Sequence, residues 1–258
     1  MRPADTDQGR PQEERAAQQA QQRLTGAGFR PEDARVIVDH FVAADRHGKS
    51  AHGLARMDWL LRLPDLQPDA RPRQVADRAE YARWDSCGAL GYLTLEAIVR
   101  AQLADPPAHV RLVVSDASPT GTLGVWVRRL AVGGLIAVLT AISPRRLASP
   151  DGGPPLTGTN PVAIAIPSSD GRPLVVDVSM GAVTHGDVLL GNATEAELVP
   201  FGGRQAYKAF ALAVGLQMFC EALAGAERGA VLMVASPTHD PVPAFRRLAG
   251  EIRLPGDS

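Results

Sequence analysis

Five short runs of apolar and β-branched residues, 110–115, 135–141, 162–166, 174–178 and 231–235, are each bounded by Gly, Pro, Ser or Asp. Runs of this kind read as buried strands. Helical patterns stand between and after them at 123–132, 206–223 and 242–252, and before them at 13–24, 31–45 and 90–103. In the second helix, Pro31, Glu32 and Asp33 make a good start, because proline is tolerated in the first turn and acids complement the macrodipole. Ile37, Phe41 and Ala44 then form its buried stripe, as Leu93, Ala97 and Ile98 do in the helix over 90–103. Strands interleaved with helices predict an α/β chain. No strand leads into GxGxxG and no GxxxxGK[ST] occurs, so the Rossmann and P-loop arrangements are disfavoured.

With 258 residues the chain can bury a sizeable core. Its hydrophobic fraction of 45% and charged fraction of 21% fit a folded protein and exclude bulk disorder. Lys and Arg number 27 against 28 Asp and Glu. A balance so near zero argues against a nucleic acid or an anionic membrane held by bulk charge. No run approaches the length of an apolar membrane span, and the polar, Gln-rich start lacks a signal-peptide core. Cys87 and Cys220 are far apart and form no CxxC, as in a reducing compartment. A cytoplasmic location is the expectation.

Four clusters could carry chemistry. The first is residues 44–56, with Asp45, His47, Gly48, Lys49, Ser50, His52 and Arg56. If the chain is helical from His52 onward, His52 and Arg56 are four apart and share a face. Arginine offers a fork matched to a carboxylate, and histidine can move a proton near neutrality. The plainer alternative is a solvated interhelix loop. His47 and His52 lack companions that would complete a metal ligand set, so no metal is expected. The second cluster, 152–161, is a Gly-rich turn that could cradle a phosphate or serve only as a tight loop. The third is Asp177 in an apolar run, where a carboxylate is either paired or a site residue. The fourth is Gly202 and Gly203 opening a long apolar helix that carries Lys208. Lys49 and Lys208 are the chain's two lysines.

In this order the clusters resemble the malate/L-lactate dehydrogenase family, of the sulfolactate and ureidoglycolate dehydrogenase and Δ1-piperideine-2-carboxylate reductase type. The matching residues are Asp45, Gly48, His52, Gly53 and Arg56, then Gly158, Thr159, Asn160 and Pro161, then Asp177, and finally Pro200, Gly202, Gly203 and Lys208. The resemblance implies a non-Rossmann α/β fold with a large mixed β-sheet flanked by helices. It implies a helical substrate-side region over 1–110, a mixed-sheet cofactor-side domain over 111–235 and a returning C-terminal helix over 236–258. It also implies a homodimer, an NADPH or NADH cofactor, and hydride transfer to a small 2-keto acid or cyclic 2-imino acid. His52 would donate the proton, with Asp177 and Lys208 as further catalytic residues. Arg56 and Ser50 would bind the substrate carboxylate, and Thr159, Asn160, Pro161, Gly202 and Gly203 would hold the cofactor.

The chain departs from the family pattern at specific places. Ala51 replaces the serine before the histidine, Pro119 falls where a second histidine is usual, and Gly181 and Ala209 replace a serine and a glycine. Residues 185–198 lack the family's tryptophan and its loop. Two other functions therefore stand beside the reductase: a trimmed relative that has lost nucleotide binding and performs redox-free acid/base chemistry, and a noncatalytic partner subunit.

Overall fold

The computed structural model describes residues 6–225 and 228–257. Residues 1–5 and 258, the outer ends of the first and last expected regions, lie outside it. Helices α1 (Thr6–Gly26) and α2 (Pro31–Arg46) pack together, with Ala20 and Leu24 joining Ile37 and Phe41 in one core. α1 runs past the expected 13–24 at both ends, through Pro11 on one side and to Gly26 on the other. α2 begins at Pro31 as its sequence predicts.

The expected helix from His52 onward is replaced by two 3₁₀ turns, Ser50–His52 and Leu54–Arg56, followed by short helix α3 (Met57–Leu61). Asp45 causes the break. Its carboxylate accepts the Leu54 N–H at 2.9 Å and occupies the place where a Cβ on Gly53 would stand.

Next comes a hairpin of β1 (Arg73–Arg78) and β2 (Tyr81–Asp85), absent from the sequence reading because its residues are mostly polar. The chain continues through α4 (Gly91–Ala104), β3 (Val110–Ser115), α5 (Leu123–Val132) and β4 (Ile136–Ala141). The Gly-rich turn expected over 152–161 is in part strand: β5 (Leu147–Ser149) and β6 (Gly152–Thr157) form a two-stranded ribbon, exposed along Gly152–Leu156 and anchored by buried Leu147 and Thr157. β7 (Val162–Ile166), β8 (Leu174–Val178), α6 (His185–Leu189), α7 (Ala206–Ala224), β9 (Ala230–Ala235) and α8 (Val242–Ala249) complete the described elements.

Seven strands form one sheet in the order β1-β2-β3-β9-β4-β7-β8. Only β2 and β3 run parallel, so the sheet is mixed and takes two of its strands from the first expected region. Side chains alternate between the two faces. Ala137, Leu139, Leu232 and Val234 enter the main core with Trp126 and Leu130 of α5 and with α2 and α4 behind it. Ile142 and Val231 face the other way, onto Cys220 of α7.

α7 covers that second face with small residues, Ala206, Ala209, Ala213, Cys220 and Ala224. Its outer face leaves Tyr207, Leu212, Met218 and Phe219 exposed. Contrary to the sequence reading, the segment Gly203–Ala224 is long and apolar enough to cross a membrane by length and composition. Its small buried stripe lies against the sheet.

Candidate active site

The loop after α2 is held from several sides. Lys49, whose role the sequence left open, donates from Nζ to the Asp177 main-chain oxygen at 3.1 Å. The Asp177 carboxylate lies against Gly124, accepts its N–H in the first turn of α5, and leaves no room there for a Cβ. Burial raises the Asp177 carboxyl, while Lys49 and the Gly124 N–H pull it back toward the charged form. Asp177 thus ties the end of edge strand β8 to the start of α5 and to the His52 loop.

His52 is largely buried. Burial, helped by the nearby Arg56 and Lys49 charges, lowers its pKa to about 4, against a weaker opposing pull from Asp187. Its imidazole is therefore neutral at pH 7. Arg56 is only 8% exposed and stacks on Trp59 with 4.0 Å from guanidinium carbon to ring centroid. Nη1 reaches the Ala51 carbonyl at 3.4 Å, and Nε has no hydrogen-bond partner among the described residues. No carboxylate contacts Arg56 in any described hydrogen bond or ion pair. A guanidinium buried without a counter-anion costs on the order of several kcal/mol, which an incoming carboxylate would offset.

The lid over this loop comes from residues 181–190. Gly186 packs so closely on the Ala51 carbonyl that a Cβ would clash. The Thr184 and Asp187 side chains form a reciprocal cap that fixes α6 at this contact. Its first residue, His185, is half-buried; burial lowers its pKa, and Arg146 and Arg56 both add to that effect. Neither His185 nor Arg146 was singled out in the sequence. Both stand outside the family motifs, and pairing across more than thirty residues leaves no local signal.

The other expected site residues divide. Thr159 is half-buried: its hydroxyl lies 3.3 Å from that of Ser143, and its carbonyl accepts the Met180 N–H at 2.7 Å. Asn160 is fully buried at φ +29°, and its amide donates to Thr157 Oγ1, the Ala213 carbonyl and Gln217 Oε1 at 2.7–2.9 Å. Its side chain is consumed in fastening this loop to α7. Pro161 accepts from Thr140 Oγ1 at 2.9 Å. A bridge between Gly181 and Pro200, with Phe201 N–H on the Met180 carbonyl at 3.1 Å, leads from there to Gly202 and Gly203. Both glycines are exposed with positive φ. Lys208 is exposed too, bonded to Gln205 at 2.8 Å, and makes no described contact with His52 or Arg56. Ser50 is exposed at the start of its 3₁₀ turn.

A buried histidine lies behind the site. His40 Nε2 accepts the Thr122 N–H at 3.0 Å, and its ring stacks on Trp126 at 4.7 Å. Burial lowers it to about 3. It fills the space beside Gly121, in the turn where Pro119 replaces the family's usual histidine. A groove of about 530 Å³ between α2, α4 and α5 also touches His40 but includes neither His52 nor Arg56. Among the described residues, no group of three or more His, Cys, Asp and Glu is placed to hold a metal ion.

The malate/L-lactate dehydrogenase family model matches residues 12–196. The chain belongs to that family. By sequence it is 32% identical over 184 residues to a (2R)-3-sulfolactate dehydrogenase (NADP(+)) of Chromohalobacter salexigens, covering 69% of this chain and 55% of the relative. It is 31% identical over 182 residues to a Δ1-pyrroline-2-carboxylate/Δ1-piperideine-2-carboxylate reductase of Pseudomonas syringae pv. tomato, covering 68% and 52%. The chain thus spans about half the length of the curated relatives it matches. The crystal structure of Δ1-piperideine-2-carboxylate reductase from the same organism superposes with a TM-score of 0.81 at 23% identity, over 95% of this chain and 90% of that one. A dehydrogenase from Sinorhizobium meliloti gives 0.81 at 22% identity, over 95% and 86%. The expected mixed-sheet fold is therefore present. It extends past the family match into the Gly202–Lys208 region.

Proposed function

We propose that the chain is an NAD(P)H-dependent reductase of a small 2-keto acid or cyclic 2-imino acid. One observation carries this reading: Arg56 is buried beside His52 with no carboxylate among the described residues in contact to neutralise it. An anionic substrate completes that pair. The relatives described above, by name a sulfolactate dehydrogenase and a cyclic imino acid reductase, support the same chemistry.

The residues present also fit a nicotinamide nucleotide. Gly202 and Gly203 expose main-chain N–H groups, open space lies where a Cβ on Gly203 would stand, and Lys208 and Arg204 are exposed beside them. Thr159 offers a half-buried hydroxyl. These residues would hold the cofactor, with Asn160 and Pro161 supporting the loop from behind. When bound, a reduced nicotinamide supplies a hydride to the substrate's carbonyl or imine carbon.

The chain's own residues do the rest. Arg56 holds the carboxylate next to the reacting carbon and polarises it. His52 delivers a proton to the oxygen or nitrogen as the carbon accepts the hydride, so one hydride and one proton yield the 2-hydroxy or 2-amino acid. The neutral state of His52 in the free protein is part of this mechanism. Burial is the larger cause of that neutral state, with Arg56 and Lys49 adding to it; a carboxylate on Arg56 removes the Arg56 contribution and shifts the imidazole toward taking up the proton it then passes to the substrate. Asp177 and Lys49 act as positioning residues through the loop. A substrate-side region over 1–110 and a cofactor-side domain over 111–235 are the proposed division of labour, with a homodimer as the working form.

The redox-free alternative draws support from Pro119, which supplies no second imidazole. Titration with NADPH and NADH, followed by nicotinamide fluorescence and thermal shift, separates the two. The reductase is stabilised as cofactor is raised to millimolar, and no shift with either nucleotide would leave the redox-free relative and the noncatalytic partner subunit. In the reductase, Arg56→Ala raises the KM for the acid by about 10–100-fold, the loss of a charged hydrogen-bonded contact.

A further inference from the structure

We propose that Trp59 is a positioning residue that presets the Arg56 guanidinium for a substrate carboxylate. The inference deepens the reductase reading and rests on it. Hydrogen bonds alone do not fix the Arg56 head group: Nη1 meets the Ala51 carbonyl at 3.4 Å, and Nε is buried with no partner among the described residues. A bond of that length restrains a planar cation only weakly. The Trp59 ring supplies the restraint, with its centroid 4.0 Å from the guanidinium carbon. Indole is the strongest aromatic face for a cation, and the attraction grows where water is excluded. Arg56 is buried, so the stack is of that stronger kind.

The ring is itself held by its surroundings. Trp59 sits in the middle of α3 between the buried side chains of Met57 and Leu60, and its own half-buried ring packs against the main core. Asp58 ties the same turn to Arg23 of α1 at 2.6 Å. Two consequences follow for Arg56. The indole face offsets part of the cost of burying a cation that no carboxylate among the described residues contacts. It also covers one face of the guanidinium plane and leaves free the N–H edge that carries the unpartnered Nε. A carboxylate binds a guanidinium in its plane, through two parallel N–H···O bonds along such an edge. Stacking and in-plane bonding do not compete, so ring and substrate engage Arg56 together. A fork whose plane is already set loses less freedom when the carboxylate arrives.

Steady-state kinetics with a 2-oxo acid test the role. Trp59→Leu keeps an apolar side chain against the core and removes the π face. The acid KM then rises about 5–30-fold, the worth of a desolvated cation–π contact, while kcat and the cofactor KM move less than about threefold. Trp59→Met serves in its place where leucine unfolds the chain. Trp59→Phe, which keeps a stacking face, restores most of the loss. Once Arg56→Ala has removed the cation, Trp59→Leu adds nothing further to the acid KM. An acid KM unchanged by Trp59→Leu, equal damage from the leucine and phenylalanine variants, or a full effect in the Arg56→Ala background overturns the role. Thermal shift with butyrate reads the same contact without any hydride transfer. If no oxo or cyclic imino acid is reduced while butyrate stabilises the protein and Trp59→Leu weakens that effect, the reductase reading falls and the positioning role stands. If oxo acids are reduced with a KM indifferent to Trp59, the role falls and the reductase reading stands. Absence of both reduction and butyrate binding overturns both.

Discussion

At the scale of single residues, burial decides the protonation states around the site. His52 at about 4 and His40 at about 3 are both held below the ordinary histidine value of 6.5. Above 6.5 the folded and unfolded chains carry both rings neutral. Between 6.5 and about 4 the unfolded chain binds protons that the folded chain refuses, so stability rises with pH across that window and is lost on acidification. Asp177 and Asp45, raised by burial, act in the opposite sense nearer pH 4. The expected slope is up to about 1.4 kcal/mol per pH unit for each histidine. Urea unfolding at pH 7 and pH 5 measures it; equal stabilities would show that neither ring is held neutral by the fold. His52, Arg56 and Asp177 could be singled out as candidates because each stands in a local motif. Lys49, His40, His185 and Arg146 were not, because what defines them is a neighbour far away in the chain.

At the scale of elements, several strands and helices could be read from apolar periodicity alone, and α5 begins and ends where its pattern does. The hairpin β1–β2 and the ribbon β5–β6 could not, since Arg73–Arg78 and Gly152–Thr157 lack apolar alternation. The helix expected after Gly53 failed for a tertiary reason, the Asp45 carboxylate beneath it. Asn160, expected at the cofactor, also makes contacts that the motif alone does not reveal. Its amide and carbonyl bind Thr157, Ala213, Gln217 and Ser143 in a buried pocket, so it joins the entry of β7 to α7. Asn160→Ala leaves those groups unpaired and lowers stability by about 2–4 kcal/mol, near 1 kcal/mol or more per bond lost. Calorimetry checks this, and an unchanged Tm would show that Asn160 does not fasten β7 to α7.

At the scale of the whole molecule, the two faces of the sheet are treated unequally. One is sealed by α5 with α2 and α4, and the other is only partly covered by α7, leaving Ile164 and Met233 of the sheet exposed along with Tyr207, Leu212, Met218 and Phe219. These exposed apolar side chains are where the proposed homodimer would place its second copy. Sedimentation at micromolar concentration then gives twice the chain mass, with Phe219→Glu shifting the protein to monomer; a wild-type monomer would exclude this arrangement. In the proposed reductase the His52–Arg56 pair serves hydride transfer. Its most direct test supplies a cofactor deuterated at nicotinamide C4 together with a 2-oxo or cyclic 2-imino acid and looks for the label by mass spectrometry. A working reductase places deuterium on C2 of the product, and His52→Ala slows that transfer by about 10²–10⁴-fold while cofactor affinity is retained. Product without label, or label transferred as fast without His52, would contradict the claim.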